Sequence, residues 1–382
     1  MAAITYKCPR CGGDLRFQPS GQRFVCEYCD SEYSKEELEE NAVAAEEMKL
    51  PEEAEMPETA KGLEEAEMSE TAKEPEEAEM PEVAKQPEKE QDAVRYICPS
   101  CGAEIVTDET TAATFCYYCH NPIVLEGRMR GSFHPDLVIP FAIDRKRALE
   151  IFHQWMGKKK YVPKDFYSED QIEKLSGVYF PYWLYDCQVD GRLEAQGTKL
   201  STWRMGDIQY TKTEQYDVSR RGEMQIEHVP RNALSKANRE LAEAVFPFEM
   251  SKLQPFEMGY LSGFMAENRD MEQQQFAAEV EAEVRGFAEQ SLRSGINGYQ
   301  SVQVQSSDMR LLKPQWKYAL LPVWTLTYKE KKTGKLYYFA CNGQTGKVCG
   351  ELPVDSGKLG RLFLSVFVPV AAVLLAAAYF LG

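Results

Sequence analysis

The chain has 382 residues, 43% of them hydrophobic, with 44 basic against 60 acidic side chains and a formal net charge of −16. Residues 35–93 alone hold 22 Asp and Glu against 6 Lys, so the remainder balances at 38 against 38 and carries no domain-wide positive field to attract phosphates. The composition excludes a wholly disordered chain, because it can build at least one sizeable core.

Residues 1–5 are short, uncharged and lead at once to Cys8, so no secretory signal is read. The eleven cysteines are then expected in a reducing cytosol, as metal ligands plus a few free thiols. Residues 1–34 read as a first zinc ribbon with the spacing Cys8-x2-Cys11-x14-Cys26-x2-Cys29. Residues 35–93 form an acidic linker with a twelve-residue repeat, "LPEEAEMPETAK", "GLEEAEMSETAK", "EPEEAEMPEVAK". Its prolines interrupt any long helix and it has little to bury, so a disordered, self-repelling spacer is expected. The competing reading is an acidic segment that docks on a basic partner.

Residues 94–126 repeat the ribbon spacing as Cys98-x2-Cys101-x14-Cys116-x2-Cys119. Two Cys three apart in a tight turn aim their sulfurs at one centre. Pro9 and Pro99 preset φ, while Gly12 and Gly102 permit left-handed geometry after the second Cys. The interval of fourteen suffices for a short hairpin that brings the two turns together, so each set is a tetrahedral four-thiolate site. Two Zn2+ ions are expected, one per ribbon, and iron fits the same ligands. Such a site is coordinatively full, which makes it structural and not catalytic. His120 follows Cys119 but lies outside the register shared by the two sets, and is not read as a ligand. In ribbon one Lys7, Arg10, Arg16 and Arg23 are offset by Asp14, Glu27, Asp30 and Glu32; in ribbon two Tyr117 and Tyr118 lack flanking cations. Protein contacts are therefore expected ahead of nucleic acid.

Residues 127–357 read as a β-rich α+β domain. A strand in "LVIPFAID" leads to an Asp144 cap and a helix burying Ala148, Ile151, Phe152, Trp155 and Met156. A longer helix starts near Asp270, with Phe276, Val280, Val284 and Phe287 on one side and Gly295 past its end. Strands are expected at 178–189, 193–203, 207–218, 224–229, 318–328 and 336–340, the last two joined by a turn at "KKTGK". "VYFPYWLYDCQVDG" and "ALLPVWTLTYKEKKTG" each set a Pro two residues before a Trp. Coincidence is the favoured reading, with a duplicated strand module as the alternative.

"CNGQTGKVCG" fails as a phosphate loop on spacing and reads as a β-turn, with Cys187, Cys341 and Cys349 as free thiols. His134, His153 and His228 fall in unrelated settings, and no catalytic residue or small-molecule substrate is identified. The basic runs at Arg145 and Lys158 read as solvated helix faces, or as contacts to anionic lipid.

Residues 358–382 contain the uncharged run 362–382, long enough at about 1.5 Å per residue to cross a hydrocarbon core of roughly 30 Å. Pro369 is tolerated in a membrane helix. Lys358 and Arg361 precede the run, so the positive-inside rule places a single-pass, tail-anchored protein in the cell membrane with its preceding part in the cytoplasm.

With CPxCG and CxxC doubled and a terminal anchor after a β-rich domain, the chain resembles bacterial membrane proteins containing a transcription-factor-IIB-type zinc ribbon. The resemblance covers both ribbons and, more loosely, "GVYFPYWLYD", "LLPVWTLTY" and the anchor. It implies roles for the eight ribbon cysteines only. Some members look like partners in membrane-stress systems of the phage-shock kind, so the resemblance implies a scaffold that recruits cytosolic effectors. A fixed placement of the two ribbons is not expected across so long a spacer. Two rivals remain. A membrane-tethered nucleic-acid binder needs a positive patch, and an enzyme needs a pocket within 130–355 that gathers groups such as Tyr185, Asp186, His228 or Cys341.

Overall fold

The computed structural model describes residues 6–38 and 94–381, except positions 99, 117–118, 126–127, 130, 158, 238 and 331–332. The acidic repeat, Tyr117 and Tyr118 thus lie outside the described residues. Residues 35–38, expected to open the spacer, instead form a helical turn with a capping box. The Glu37 amide donates to Ser34 Oγ at 3.3 Å, and the Ser34 amide to Glu37 Oε2 at 2.6 Å.

In chain order, β1 (Leu15–Gln18), β2 (Arg23–Cys26) and β3 (Glu32–Tyr33) form a small antiparallel sheet. Strands β4 (Val94–Ile97) and β5 (Glu104–Thr107) make one hairpin, β6 (Thr111–Phe115) and β7 (Pro122–Val124) another. There follow β8 (Leu137–Val138), α1 (Arg145–Gly157), α2 (Glu169–Ile172), β9 (Ser176–Met205), β10 (Ile208–Asn232), α3 (Arg239–Ala244), β11 (Gln254–Pro255) and β12 (Met265–Glu267). The chain closes with α4 (Gln274–Ser294), β13 (Ser301–Lys329), β14 (Leu336–Asn342), β15 (Val348–Gly350) and α5 (Ser356–Leu381). The expected α+β class holds. A ten-stranded sheet runs β11-β8-β13-β9-β12-β6-β7, with β10 on β9 and β14 and β15 beyond β13.

Three strands dominate. β9 has 30 residues, and at about 3.3 Å each it spans roughly 95 Å. The expected strands at 178–189 and 193–203 are one strand, as are those at 207–218 and 224–229. Gly191 and Gly222, which fall in the gaps between the expected strands, face each other in register, and Leu292 of α4 lies against both. The first half of β13 escaped prediction because "SVQVQSSDMR" is polar and Pro314 reads as a breaker. Pro314 falls in a bulge, where the register shifts between Leu312 and Gln315 and Lys313 takes φ 51°.

The two Pro-x-Trp runs are dyad mates, which overturns the coincidence reading. In the antiparallel pairing of β9 and β13, Phe180 faces Leu321, each the residue before its proline. Parallel to β9 runs β12, with Ala266 opposite Tyr179; parallel to β13 runs β8, with Val138 opposite Leu320. Trp183 Nε1 donates to the Met271 carbonyl at 2.9 Å and Trp324 Nε1 to the Ile143 carbonyl at 2.9 Å. Ala233 and Gly343 each donate to the matching proline carbonyl, and each accepts from two amides ahead of the helix, at 142–143 or 270–271. Counted from Ile143 and Met271, the buried residues of the helices coincide: Ala148, Phe152 and Met156 match Phe276, Val280 and Val284. The unit is therefore a short strand, a helix, a long strand and a hairpin return.

In α4 the next buried residue is Ala288, four after Val284, while Phe287 is 61% exposed. The expectation for Phe287 fails because a residue three positions on has turned past the seam. A Cβ at Gly343 would lie 2.6 Å from the fully buried Phe141 ring and 2.9 Å from Pro322 Cβ, although its mate Ala233 carries one. Gly343→Ala is expected to cost about 1–3 kcal/mol by overpacking, read as a lowered Tm with an unchanged fold by circular dichroism.

α5 starts at an Asp355 cap, whose Oδ1 accepts the Gly357 and Lys358 amides at 2.9 and 3.1 Å. Its first turn is tied to the domain by Lys358 Nζ donating to the Val162 carbonyl at 2.7 Å. Within Ser356–Tyr379 its most apolar 18 residues have a mean hydropathy of 2.4, and the helix is long and apolar enough to cross a membrane.

Candidate metal centres and surrounding surfaces

All four CxxC turns have one geometry. In each, the first Cys amide donates five residues ahead, to Gly13, Ser31, Ala103 or Asn121, at 2.7–3.0 Å. The residue after the second Cys donates back to the first Cys carbonyl at 2.9 Å and takes a left-handed φ: Gly12 74°, Asp30 53°, Gly102 74°, His120 57°. Glycine suits that conformation, and Asp and His are among the side chains that tolerate it. His120 is thus a turn residue.

The sulfurs of Cys8, Cys11, Cys26 and Cys29 lie within 4.8 Å of one another, as do those of Cys98, Cys101, Cys116 and Cys119. Cys8 to Cys29 is 3.7 Å, Cys11 to Cys26 3.5 Å, and both corresponding pairs of the second set are 3.7 Å. Tetrahedral bonds of about 2.3 Å to zinc require sulfur separations of about 3.8 Å. Each group can therefore hold one metal ion, and the all-thiolate donor set suits zinc. Burial pushes the Cys8 thiol up, but the Tyr33 hydroxyl and the amides of Cys11 and Arg10 outweigh it and bring it to about 6. The Gly13 amide draws Cys11 down, yet its sulfur neighbours carry it up to about 12. Four thiolates at this spacing need a cation among them.

Both ribbons are built into the domain and are not held off it by the spacer. The Phe17 amide donates to the Ser262 carbonyl at 3.0 Å, Ser262 Oγ donates to the Leu15 carbonyl, and Phe17 meets Tyr260 edge-on at 5.3 Å. Gln22 Nε2 reaches the Phe141 carbonyl at 2.7 Å, beside the dyad. In ribbon two, β6 pairs with β12 and so joins the ten-stranded sheet. The ribbons also meet each other, since Asn121 Nδ2 donates to Asp14 Oδ2 at 2.6 Å. Their relative placement is fixed by these contacts, contrary to expectation.

Of the groups an enzyme would gather, only Asp186 and His228 come together. His228 Nδ1 lies 3.2 Å from Asp186 Oδ1, and Lys317 Nζ 2.8 Å from Asp186 Oδ2. His228 occupies the bulge of β10, at φ 59°. Tyr185 projects to the opposite face of β9, beside Cys187, and Cys341 lies on β14. Cys187, Cys341 and Cys349 form no disulfide. Residues 342–347 form the expected β-turn, the Asn342 side chain accepting from the Gln344 and Thr345 amides. The basic run at Arg145 is engaged locally: Arg145 caps the carbonyl of Glu173 at 3.0 Å and Arg147 pairs with Glu150 at 2.7 Å.

One surface was missed from sequence. The two-residue turn at Gly206 and Asp207 closes β9 and β10 into an arm whose last residues extend beyond β13. On one face of its tip Trp203 stacks on Tyr210 at 5.7 Å, with Met205 opposite Ile208. Met205 is 70% exposed and Ile208 59%.

No family model matches the chain, and no solved structure matches it. It is similar to a Bacillus subtilis (strain 168) protein described as uncharacterized protein YdjG, at 27% identity over 363 residues, covering 95% of this chain and 94% of the other.

Proposed function

We propose that the chain is a single-pass membrane protein facing the cytoplasm, a scaffold without enzymatic activity that holds protein partners near the bilayer. The observation carrying this reading is the exposed apolar cluster of Trp203, Met205, Ile208 and Tyr210 at the end of the β9–β10 arm. Trp, Tyr and Met are the side chains enriched at protein interfaces. The ribbons add exposed Tyr28, Ile97 and Val106 on metal-held supports, so several weak surfaces on one tether gain avidity for a repeated partner. Closed four-sulfur sites leave no ligand position for substrate. Nucleic acid is disfavoured because three of the four cations of ribbon one are paired with acids: Lys7 with Asp14 at 2.5 Å, Arg16 with Glu27 at 2.7 Å, Arg23 with Glu32 at 3.9 Å. Effectors of a membrane-stress response are the partners that the resemblance to transcription-factor-IIB-type ribbon proteins suggests.

The test places a photo-crosslinking residue at Tyr210, or at Thr211 on the opposite face, in the full chain in native membranes. Discrete protein adducts are expected from position 210 alone, and Met205→Ser with Ile208→Ser should abolish them. Adducts to lipid only, or salt-sensitive retention of random DNA by the zinc-loaded chain, would replace this reading.

A further inference from the structure

The two halves of the dyad differ on one face of the sheet. Opposite the face that carries α1 and α4, the half made by Ile139, Tyr182, Leu184, Ala319 and Leu321 is fully buried. Its cover is the chain's own segment 245–253, whose Val245, Phe246, Phe248, Met250 and Leu253 pack onto it before the chain enters β11. The dyad-related half is less completely covered by the described residues: Val178 and Val323 are buried, but Phe180, Met265 and Thr325 are only half-buried and Thr327 is exposed. Counting from the prolines, Val178, Val323 and Thr325 are the mates of Ala319, Tyr182 and Leu184, and Met265 is the mate of Leu137. These residues line a cleft of about 310 Å³ with Phe180, walled by Ala237 and Ala242. That volume is at the lower end for small binding sites.

The reason for the opening is topological. β11 lies on the outer edge of β8, with Gln254 opposite Val138; β6 lies on the outer edge of β12, with Ala113 opposite Ala266, in the equivalent place. The chain reaches β11 by crossing the sheet face, and it reaches β6 from the ribbon-two hairpin without crossing. One half therefore receives a cover in cis, and among the described residues no equivalent segment crosses the other. Glu267 stands where Ile139 stands in the covered half. It accepts from Thr110 Oγ1 at 2.8 Å, and Lys236 Nζ lies 2.8 Å from both Glu267 and Asp108. The rim thus bears two carboxylates and one ammonium, a net charge of −1.

We infer that this cleft binds an extended apolar segment of a partner polypeptide, which supplies in trans the cover that residues 245–253 supply to the dyad-related half. The segment carries two large apolar side chains two residues apart, as Phe246 and Phe248 are, with a basic residue nearby to meet the acidic rim, as Lys252 would. The cleft is distinct from the tip of the β9–β10 arm, so failure of either reading leaves the other standing.

The probe is a synthetic peptide copying residues 245–253, with a photoreactive phenylalanine at the position of Phe248, added to the full chain in nanodiscs. Saturable labelling is expected on the strands near Met265, Thr325 or Thr327. Thr325→Trp and Ala237→Trp fill the cleft from its floor and its wall, and each should weaken labelling about tenfold. Replacing both peptide phenylalanines by serine should weaken it similarly. The Tm of each variant is read first, and a variant that unfolds is set aside for the other, since Thr325 and Ala237 are both partly exposed. Unsaturable labelling, or labelling that survives both tryptophans, overturns the inference. So does labelling near Leu137 or Ala319, which would mean exchange with the resident segment. A photoactivatable fatty acid that labels the same strands and is not displaced by the peptide would make this an acyl-chain site instead.

Discussion

Cys116→Ser is expected to halve the bound zinc, from two ions per chain to one, and to lower the Tm by roughly 10 °C or more. Loss of a structural metal belongs to the short list of changes that exceed about 4 kcal/mol, and 1 kcal/mol corresponds to about 2–4 °C in a domain of this size. Zinc in such sites is worth about 10–16 kcal/mol in apparent terms, yet only part reaches the sheet, because a ribbon can fray before its neighbours do. Cys116 closes β6, and β6 pairs with β12 inside the large sheet. Cys26 closes β2, in a separate three-stranded sheet that meets the domain through Phe17, Ser262 and Tyr260. Cys26→Ser should therefore remove one ion with the smaller loss of Tm. His120→Asn should keep both ions, since Asn also accepts a φ near 57°. Zinc content by mass spectrometry and Tm by calorimetry decide the matter. Two ions retained in Cys116→Ser, or ion loss in His120→Asn, would break the assignment.

The metal sites were legible because their geometry is local: each turn is complete within six residues, and spacing alone names the ligands. The helices were legible for the same reason, with a cap at Asp144 and an apolar seam three and four residues apart. What failed was long-range. Gly191 and Gly222 fall between the expected strands, and only their pairing shows that they admit a helix residue. In the first half of β13 the alternation begun by Val302 and Val304 breaks off at the register shift before Ser306, and few of its side chains are buried. The docking of the ribbons has no sequence signal of its own, since Phe17, Gln22 and Ser262 are unremarkable residues until the fold brings them together. The duplication was half visible. The Pro-x-Trp pair could be seen, but the matching hydrogen bonds of Ala233 and Gly343 belong to three-dimensional structure.

Those matched tryptophans should carry the second large effect. Trp183 and Trp324 are each under a tenth exposed, and each indole donates to the carbonyl that precedes a helix. Truncation to alanine removes a large buried ring and strands that carbonyl, so each variant is expected to lose about 3–5 kcal/mol in urea unfolding. Trp→Phe, which keeps most of the ring and loses the donor, should cost about 1–3 kcal/mol at either site. The two alanine variants should still differ. Phe141 meets Trp324 edge-on at 5.3 Å, and the dyad mate of Phe141 is Arg269, whose guanidinium lies 4.8 Å from the Trp183 ring. Arg269 is buried, donates to the Ser132 carbonyl at 2.6 Å and is packed against Tyr318 as well. Loss of the Trp183 face removes the nearest of the three rings over that buried charge, a cation–π contact worth up to about 2 kcal/mol when desolvated, and leaves it with Phe133, Tyr318 and its pair with Glu272. Trp183→Ala should accordingly exceed Trp324→Ala, and Arg269→Met should remove most of the difference in a double-mutant cycle. A loss below about 1 kcal/mol at either tryptophan would mean that the helices are held by their own seams alone, with the dyad bonds incidental to the fold.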